Sequence, residues 1–231
     1  MKKICIIPAR GGSKRISRKN IKEFFGKPII AYSIELAIKS DLFDEIIVST
    51  DDFEISNIAK KYGAKVPFMR SKKNSNDTAT TSDVLIEVLS KYDENKINFD
   101  ICCCLYPTTP LLSIQKLKEG LQLLKNENYN SVITALKYGH PIQRAFSINS
   151  DKKINLNLNE NEFKRTQDFK EFYHDAGQFY WFKKEYFMKK KSLLTGEVGA
   201  ILVNELEIQD IDTINDWSLA ELKYKLKKNE I

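Results

Sequence analysis

The chain is predicted to fold as an α/β protein with a mostly parallel sheet and helices on both faces, and three observations carry that prediction. Short β-branched apolar runs alternate with longer stretches of helical spacing from the N-terminus to about residue 136. Turn and cap residues sit at the joints between the two kinds of segment. No internal repeat or low-complexity linker interrupts the succession, so the connections read as right-handed βαβ units.

Ile4 to Ile7 is the first strand, ended by Pro8, which has no N–H for a central ladder. Gly26-Lys27-Pro28 opens a helix, with Pro28 suited to its first turn, and Ile30, Ile34, Ala37 and Ile38 recur at helical spacing. Glu45 to Thr50 is a second strand, and Asp51-Asp52 caps a helix whose apolar face is Ile55, Ile58 and Ala59 and whose end is Gly63. Ala64 to Met69 reads as a third strand. The polar loop Arg70 to Thr80 leads into a helix carrying Val84, Leu85, Val88 and Leu89. Ile101 to Leu105 is the fourth strand, closed by the rigid turn Tyr106-Pro107-Thr108-Thr109-Pro110. Ser113 caps a helix with Leu117, Leu121 and Leu124, and Ser131 to Leu136 is the next strand. From about residue 138 to 175 the pattern breaks into Asn-, Lys- and Glu-rich sequence, read as an excursion from the sheet that holds extended segments. Ala176 to Phe182 returns as an aromatic strand, and a helix around Trp217, Ala220 and Tyr224 closes the single domain, residues 1–231.

At 231 residues and 42% hydrophobic content the chain has enough apolar surface for a full core. A net charge of +6 suits a small acidic substrate. No dense basic helix or interleaved aromatic-basic array calls for nucleic acid, and no stretch reads as a signal peptide or a membrane span. Cys102, Cys103 and Cys104 are consecutive in an apolar run, with Cys5 far away. Alternating strand faces make a shared metal site awkward, so buried, reduced thiols and a cytoplasmic location are expected.

The most informative stretch follows the first strand directly: Ala9, Arg10, Gly11, Gly12, Ser13 and Lys14, then Arg15, Arg18, Lys19 and Asn20. Adjacent glycines allow the backbone to aim several N–H groups at one anion. Five cations within ten residues repel one another unless a polyanion joins them, and a nucleoside triphosphate is the simplest. The carboxyl end of a strand is where open α/β sheets bind ligands. The loop is neither a Walker A motif nor G-x-G-x-x-G. A second stretch, Gln209-Asp210-Ile211-Asp212-Thr213, places aspartates two apart, so both carboxylates of an extended segment can reach one hard cation. Mg²⁺ commonly binds through one or two carboxylates plus substrate phosphates. Thr213 and Asp216 also read as a capping box for the last helix.

Ile6-Ile7-Pro8-Ala9-Arg10-Gly11-Gly12-Ser13-Lys14 resembles the N-terminal signature of the cytidylyltransferases that activate acidic nine-carbon sugars, the CMP-sialic acid synthetase family. The resemblance implies a Rossmann-like nucleotide-diphospho-sugar transferase fold, CTP and an acidic nonulosonate as substrates, Mg²⁺, and a homodimer formed through the excursion. It makes Arg10, Lys14 and Lys19 the residues that neutralise the triphosphate, and Ala9, Gly11, Gly12, Ser13 and Asn20 further nucleotide contacts. Arg70 and Ala79 become contacts to cytosine, and Asp210 and Asp212 the metal ligands. On the sugar side it implies Tyr106, Thr108, Gln143, Arg144, Arg165, His174 and Gln178, with Arg165 offering a planar fork to the sugar carboxylate. Sialic acid enzymes typically carry glutamine where Tyr106 stands here, which argues for a sugar less polar at that contact. His140-Pro-Ile-Gln143-Arg144-Ala145 and Tyr173-His-Asp-Ala-Gly-Gln-Phe-Tyr-Trp181 resemble the pseudaminic acid subgroup.

The implied reaction is therefore CTP plus pseudaminic acid giving CMP-pseudaminic acid and diphosphate. N-acetylneuraminate, legionaminate or Kdo are alternative acceptors. A glycosyltransferase would more usually carry D-x-D mid-chain and lack the basic loop, and a non-catalytic nucleotide-binding module would bind CTP without releasing pyrophosphate. His174-Asp175 has no Ser or Cys nucleophile placed by a motif, which argues against a hydrolase triad.

Overall fold

Ile4, Cys5, Ile6 and Ile7 are completely buried, and they make β1 (Lys3–Pro8) the strand from which the sheet extends in both directions. The structure is a computed structural model and describes residues 1–126, 128–156 and 165–228. A short hairpin follows, β2 (Glu23–Phe24) against β3 (Lys27–Pro28), and then α1 (Ile29–Ser40), β4 (Glu45–Ser49) and α2 (Phe53–Lys61). Next come α3 (Thr81–Glu94), β5 (Ile101–Leu105), α4 (Ile114–Asn126) and β6 (Ser131–Lys137). The excursion holds a second hairpin, β7 (Phe146–Ile148) with β8 (Ile154–Leu156). The chain returns as β9 (Tyr173–Lys183) and finishes with α5 (Lys184–Lys190), β10 (Val198–Val203) and α6 (Ile214–Lys228). Residues 157–164 of the expected excursion lie outside the described residues.

The central sheet has the order β10-β6-β9-β5-β1-β4. All pairings are parallel except those of β9, which runs antiparallel between β5 and β6. Strand alternation sends Cys5, Ile7, Val48, Cys103 and Trp181 to one face, where α1, α2 and α4 supply Ile34, Ala59 and Leu117. Ile4, Ile6, Cys102, Cys104 and Phe182 face the other side, against Leu85 and Val88 of α3 and Phe187 of α5. The expected helices on both faces are thus present. All four cysteines are free and buried, and burial pushes the thiols of Cys102, Cys103 and Cys104 up, which keeps them unreactive.

Several local readings are realised. Asp52 caps α2 by accepting the Ile55 N–H at 2.9 Å, and Gly63 follows the end of that helix at a φ of +97°. Ser113 accepts the Lys116 N–H at 3.2 Å. Three expectations need correction. Ala64 to Met69 is not a strand: Val48 donates to Lys65 O and Lys65 to Ile46 O, leaving one isolated bridge. Pro67, without an N–H, interrupts further pairing. Pro28 lies before the first turn of α1, at its N-cap, and closes the hairpin. The edge strand β10 and the short α5 were not foreseen, because Val198–Val203 is only six residues and is interrupted by Gly199 and Ala200.

The loop between residues 70 and 80 is held by Glu87 of α3, which accepts from Ser71 N at 2.8 Å, Ser71 Oγ at 2.7 Å, Asn74 Nδ2 at 2.5 Å and Lys91 Nζ at 2.9 Å. Burial alone would raise its carboxyl, but Ser71, Lys91 and Asn74 outweigh burial and hold it at about 2. The Asp52 carboxyl is also held at about 2, chiefly by Arg18. Both values lie below the ordinary carboxylate range near about 4, so the stability these groups contribute is present above about pH 4 and is lost as pH falls toward 2. Chemical denaturation between pH 5 and pH 2 is expected to show that loss. Glu87→Gln is expected to reduce that loss, leaving the share due to Asp52, and to cost about 1–3 kcal/mol at neutral pH.

Candidate active site

Pro8 ends β1 and Tyr106 follows β5, and between these carboxyl ends lies a cavity of about 540 Å³. Arg10, Ser13, Lys14, Lys19, Asn20, Arg70, Ala79, Tyr106, Thr108, Asp210 and Asp212 all line it. Residues separated by two hundred positions in sequence therefore share one chamber.

The basic loop is shaped by its neighbours. A Cβ on Gly11 would stand 2.7 Å from Asp52 Oδ2, so only glycine fits there, whereas Gly12 would meet nothing within 4 Å. The Gly11 N–H donates to Asp51 Oδ1 at 3.0 Å, so this N–H of the expected anion nest is already engaged. Ala9 is fully buried beneath the loop. Asn20, 5% exposed, donates its amide to Arg10 O at 3.0 Å and ties the two ends of the loop together.

Each of the five loop cations has an acidic partner. Arg10 Nη1 donates to Asp77 Oδ1 at 2.8 Å and to Asn76 O at 2.9 Å, and Lys14 pairs with the other oxygen of Asp77. These two cations hold the exposed Asp77 carboxyl below its usual range, Lys14 more strongly than Arg10. Arg15 donates to Asp212 Oδ1 at 2.8 Å. Lys19 donates to Ile211 O at 2.5 Å and stands 3.4 Å from Asp212 Oδ1. Arg18 makes a fork to Asp52, with distances of 2.5 and 2.9 Å, and reaches Glu54 at 2.5 Å. Arg18 is not among the cavity's lining residues. Its partner Asp52 caps α2, so this cation braces the loop.

Asp210 and Asp212 project into the cavity on either side of Ile211, which is completely buried. Crowding by surrounding protein raises the Asp210 carboxyl, and the negative charge of Asp212 raises it further. Two hard oxygen donors that repel each other fit a divalent cation shared with substrate phosphates. The expected capping box forms beside them: Thr213 N donates to Asp216 Oδ2 at 2.7 Å and Asp216 N donates to Thr213 Oγ1 at 3.3 Å. Asp216 also accepts the Asp212 N–H at 3.1 Å, so the cap leaves both cavity carboxylates uncommitted to the helix.

Arg70 is 8% exposed, donates Nε to Ser49 Oγ at 3.1 Å and reaches Ser49 O with its fork. Burial lowers its pKa, partly offset by Asp51 and Glu87. Tyr106 shares its hydroxyl with Thr81 Oγ1 at 3.1 Å.

The remaining expected sugar residues sit elsewhere. Gln178 is 1% exposed in β9; its Nε2 donates to Glu207 O at 2.7 Å and its Oε1 has no hydrogen-bond partner. Gln143 donates to Lys170 O at 2.8 Å, and Arg144 lies 5.7 Å from the Phe169 ring, both in the excursion. Arg165 spends its fork on Asp168, at 3.0 and 3.3 Å. His174 faces Asp175 O at 3.0 Å and the Tyr138 ring at 4.9 Å, so it forms no dyad with the Asp175 carboxylate. None of these five lines the cavity. Sequence reasoning gave no individual site role to Arg15, one of the five loop cations, or to Asp77 and Thr80 of the Arg70 to Thr80 loop, and it did not single out Thr81 at all; all four line the cavity. Charge balance was the available signal for Asp77, since five adjacent cations require acids from elsewhere in the chain.

Residues 4–228 match the family described as cytidylyltransferase. A pseudaminic acid cytidylyltransferase of Campylobacter jejuni is 42% identical over 98% of this chain and 97% of its own length. A CMP-N,N'-diacetyllegionaminic acid synthase of Legionella pneumophila is 30% identical over the whole of both chains. A solved structure of a CMP:2-keto-3-deoxy-manno-octonic acid synthetase complexed with CTP aligns over the full length of both chains, with a TM-score of 0.70 and 18% identity. That likeness shows the fold. The chain belongs to the cytidylyltransferase family.

The division of labour within the basic loop can be measured. Arg18→Ala is expected to lower the unfolding free energy by about 1–2 kcal/mol, its fork being half-exposed. The Lys14 side chain is 77% exposed, and Lys14→Ala is expected to leave the unfolding free energy within about 0.5 kcal/mol of the parent.

Proposed function

We propose that this cytidylyltransferase joins CMP to an acidic nonulosonate, with pseudaminic acid as the acceptor: CTP plus pseudaminic acid gives CMP-pseudaminic acid and diphosphate. The observation that carries the reading is the meeting of Arg10, Lys14, Arg15 and Lys19 with Asp210 and Asp212 around one cavity. The similarity to a pseudaminic acid cytidylyltransferase over nearly the whole chain supports the choice of sugar, as does Tyr106 at the turn after β5.

In the proposed reaction the sugar's anomeric hydroxyl oxygen bonds to the α-phosphorus as the bond to the bridging oxygen of the leaving diphosphate breaks. Negative charge grows on the phosphoryl oxygens and on the leaving group, and fixed cations stabilise it because they need no reorganisation. Arg10 and Lys14 exchange Asp77 for phosphate oxygens, and Lys19 keeps its hold on Ile211 O while facing the same charge. Ser13 and Asn20 line the same side and orient the nucleotide. Arg70 and Ala79 border the base. A magnesium ion held by Asp210 and Asp212 would supply charge neutralisation at the triphosphate and lower the pKa of the attacking hydroxyl. The excursion, with Phe146, Ile148 and Ile154 exposed, is proposed to form a homodimer contact, and the enzyme is proposed to act in the cytoplasm.

Pyrophosphate release from CTP and Mg²⁺ tests the reading, with pseudaminic, N-acetylneuraminic and legionaminic acids and Kdo in parallel. Release with pseudaminic acid is the expected result. Release with another acceptor alone overturns the sugar assignment, and silence with all four despite CTP binding overturns the reaction. Arg10→Ala is expected to lose at least about a hundredfold in turnover, the scale of one oxyanion donor; a near-parental rate removes it from the mechanism. Asp210→Asn is expected to raise the magnesium concentration giving half-maximal rate.

A further inference from the structure

Tyr106, Pro107 and Thr108 form an uncharged part of the cavity wall, and the elements behind it are unusual. Along β9, Tyr180 lies opposite Ile133 of β6 and Asp175 opposite Ala135. Ala176, Gly177, Gln178 and Phe179 therefore stand against the single residue Thr134. Such an expanded bulge bends a strand and re-aims its side chains, and bulges of this kind gather beside active sites.

The bulge has a specific result. Gly177 adopts a φ of +60°, in the left-handed region, and its N–H donates to Asp175 Oδ1 at 2.8 Å. That turn leaves the other carboxylate oxygen to accept the Tyr180 hydroxyl at 2.6 Å. Tyr180 is 6% exposed, and its ring lies 5.6 Å from that of Tyr106 at an angle of 57°. Behind Tyr106, the Gln178 carbonyl accepts its N–H at 3.0 Å, and Thr81 meets its hydroxyl at 3.1 Å. β9 thus holds both the backbone and the ring of Tyr106, and α3 holds its hydroxyl.

We infer that Asp175 and Tyr180 are positioning residues that lock the Tyr106 ring into the cavity wall, making a rigid aromatic surface the selector for the acidic sugar. The inference rests on the function proposed above and assigns these two residues a part in it. A carboxylate with one oxygen on a backbone N–H and the other on a phenol holds Tyr180 in one hydroxyl orientation and one ring position. A ring fixed by packing and hydrogen bonds discriminates by shape, since it cannot turn away from an acceptor that fits poorly. With its hydroxyl engaged by Thr81, the Tyr106 ring presents carbon to the acceptor, which favours a methyl group over a hydroxyl against that ring. The expected class is an acidic sugar deoxygenated at the position that meets Tyr106. His174 takes no part, because its ring faces the backbone oxygen of Asp175 and not the carboxylate.

Steady-state kinetics on the full chain with CTP and Mg²⁺ test this, using the parent, Tyr180→Phe, Asp175→Ala and Asp175→Asn, each with pseudaminic and N-acetylneuraminic acids. Tyr180→Phe and Asp175→Ala are expected to raise the KM for pseudaminic acid by about tenfold or more while the KM for CTP stays within about twofold. The kcat/KM ratio between the two sugars is expected to fall in step, and Asp175→Asn, which can keep its oxygen on the Gly177 N–H and donate its amide to the Tyr180 hydroxyl oxygen, to recover part of it. An unchanged sugar KM and ratio overturns the inference. So does a parallel rise in both KM values with a lowered melting temperature, which is the signature of a general packing defect. If the parent itself uses no acidic sugar, the proposed function fails first, and the parent arm alone reveals that.

Discussion

The site depends on a small apolar cluster, of which only Ile16 reaches the cavity. Ile16 of the basic loop, Phe24 of the hairpin, Ile29 at the start of α1, Ile211, and Trp217 and Ala220 of α6 are all buried together. Phe24 makes edge contacts with Tyr32, Trp217 and Tyr224 at ring separations of 5.4 to 5.6 Å. Burying a residue such as Ile16 or Ile211 stabilises by about 1.5–3 kcal/mol, and here that burial draws the basic loop and the C-terminal acidic segment into one place. Because alternate residues of an extended segment point to opposite sides, sinking Ile211 turns Asp210 and Asp212 outward together. The apolar contact thereby sets the electrostatic one.

Like charges brought so close must be compensated, and the compensation is divided by function. Arg18 is matched by Asp52 and Glu54 and serves the fold: its fork fixes the cap of α2, and that cap in turn occupies the space a side chain at position 11 would need. Arg10 and Lys14 are matched by Asp77, an exposed carboxylate on a loop held by Glu87. Such exposed pairs are worth little in water, so a triphosphate can replace the carboxylate at small cost. The loop is in this way assembled and charged by the fold itself, as the proposed electrostatic catalysis requires.

Much of this was legible in the chain itself. The β-branched run Ile4–Ile7 with Pro8 behind it located the first strand, and the spacing of Ile30, Ile34 and Ala37 located α1, because burial imposes those periods on any sequence. Asp52, Gly63 and Ser113 announced helix ends through hydrogen bonds that only their residue types make. The glycine-rich basic loop and the Asp210/Asp212 pair were legible as candidate site residues, and the fold brings both to one cavity. The run Ala64–Met69 misled for the reverse reason: it has strand-like composition, but Pro67 withholds a donor and β4 is met at only one bridge.

Local sequence thus determined the layered α/β pattern, the glycine-turned, basic character of the first loop and the shared direction of the acidic pair, because each follows from the stereochemistry of neighbouring residues. The tertiary structure decided which distant groups meet. It inserted β9 antiparallel between β5 and β6, brought Asp77 across 67 residues to Arg10 and Asp212 across 197 to Arg15, and reserved Arg18 for the scaffold. It also set His174 facing a backbone oxygen and Asp175 against Tyr180. Such pairings arise from the register of strands and the packing of buried side chains, which are properties of the assembled core and leave no periodic signature in the sequence.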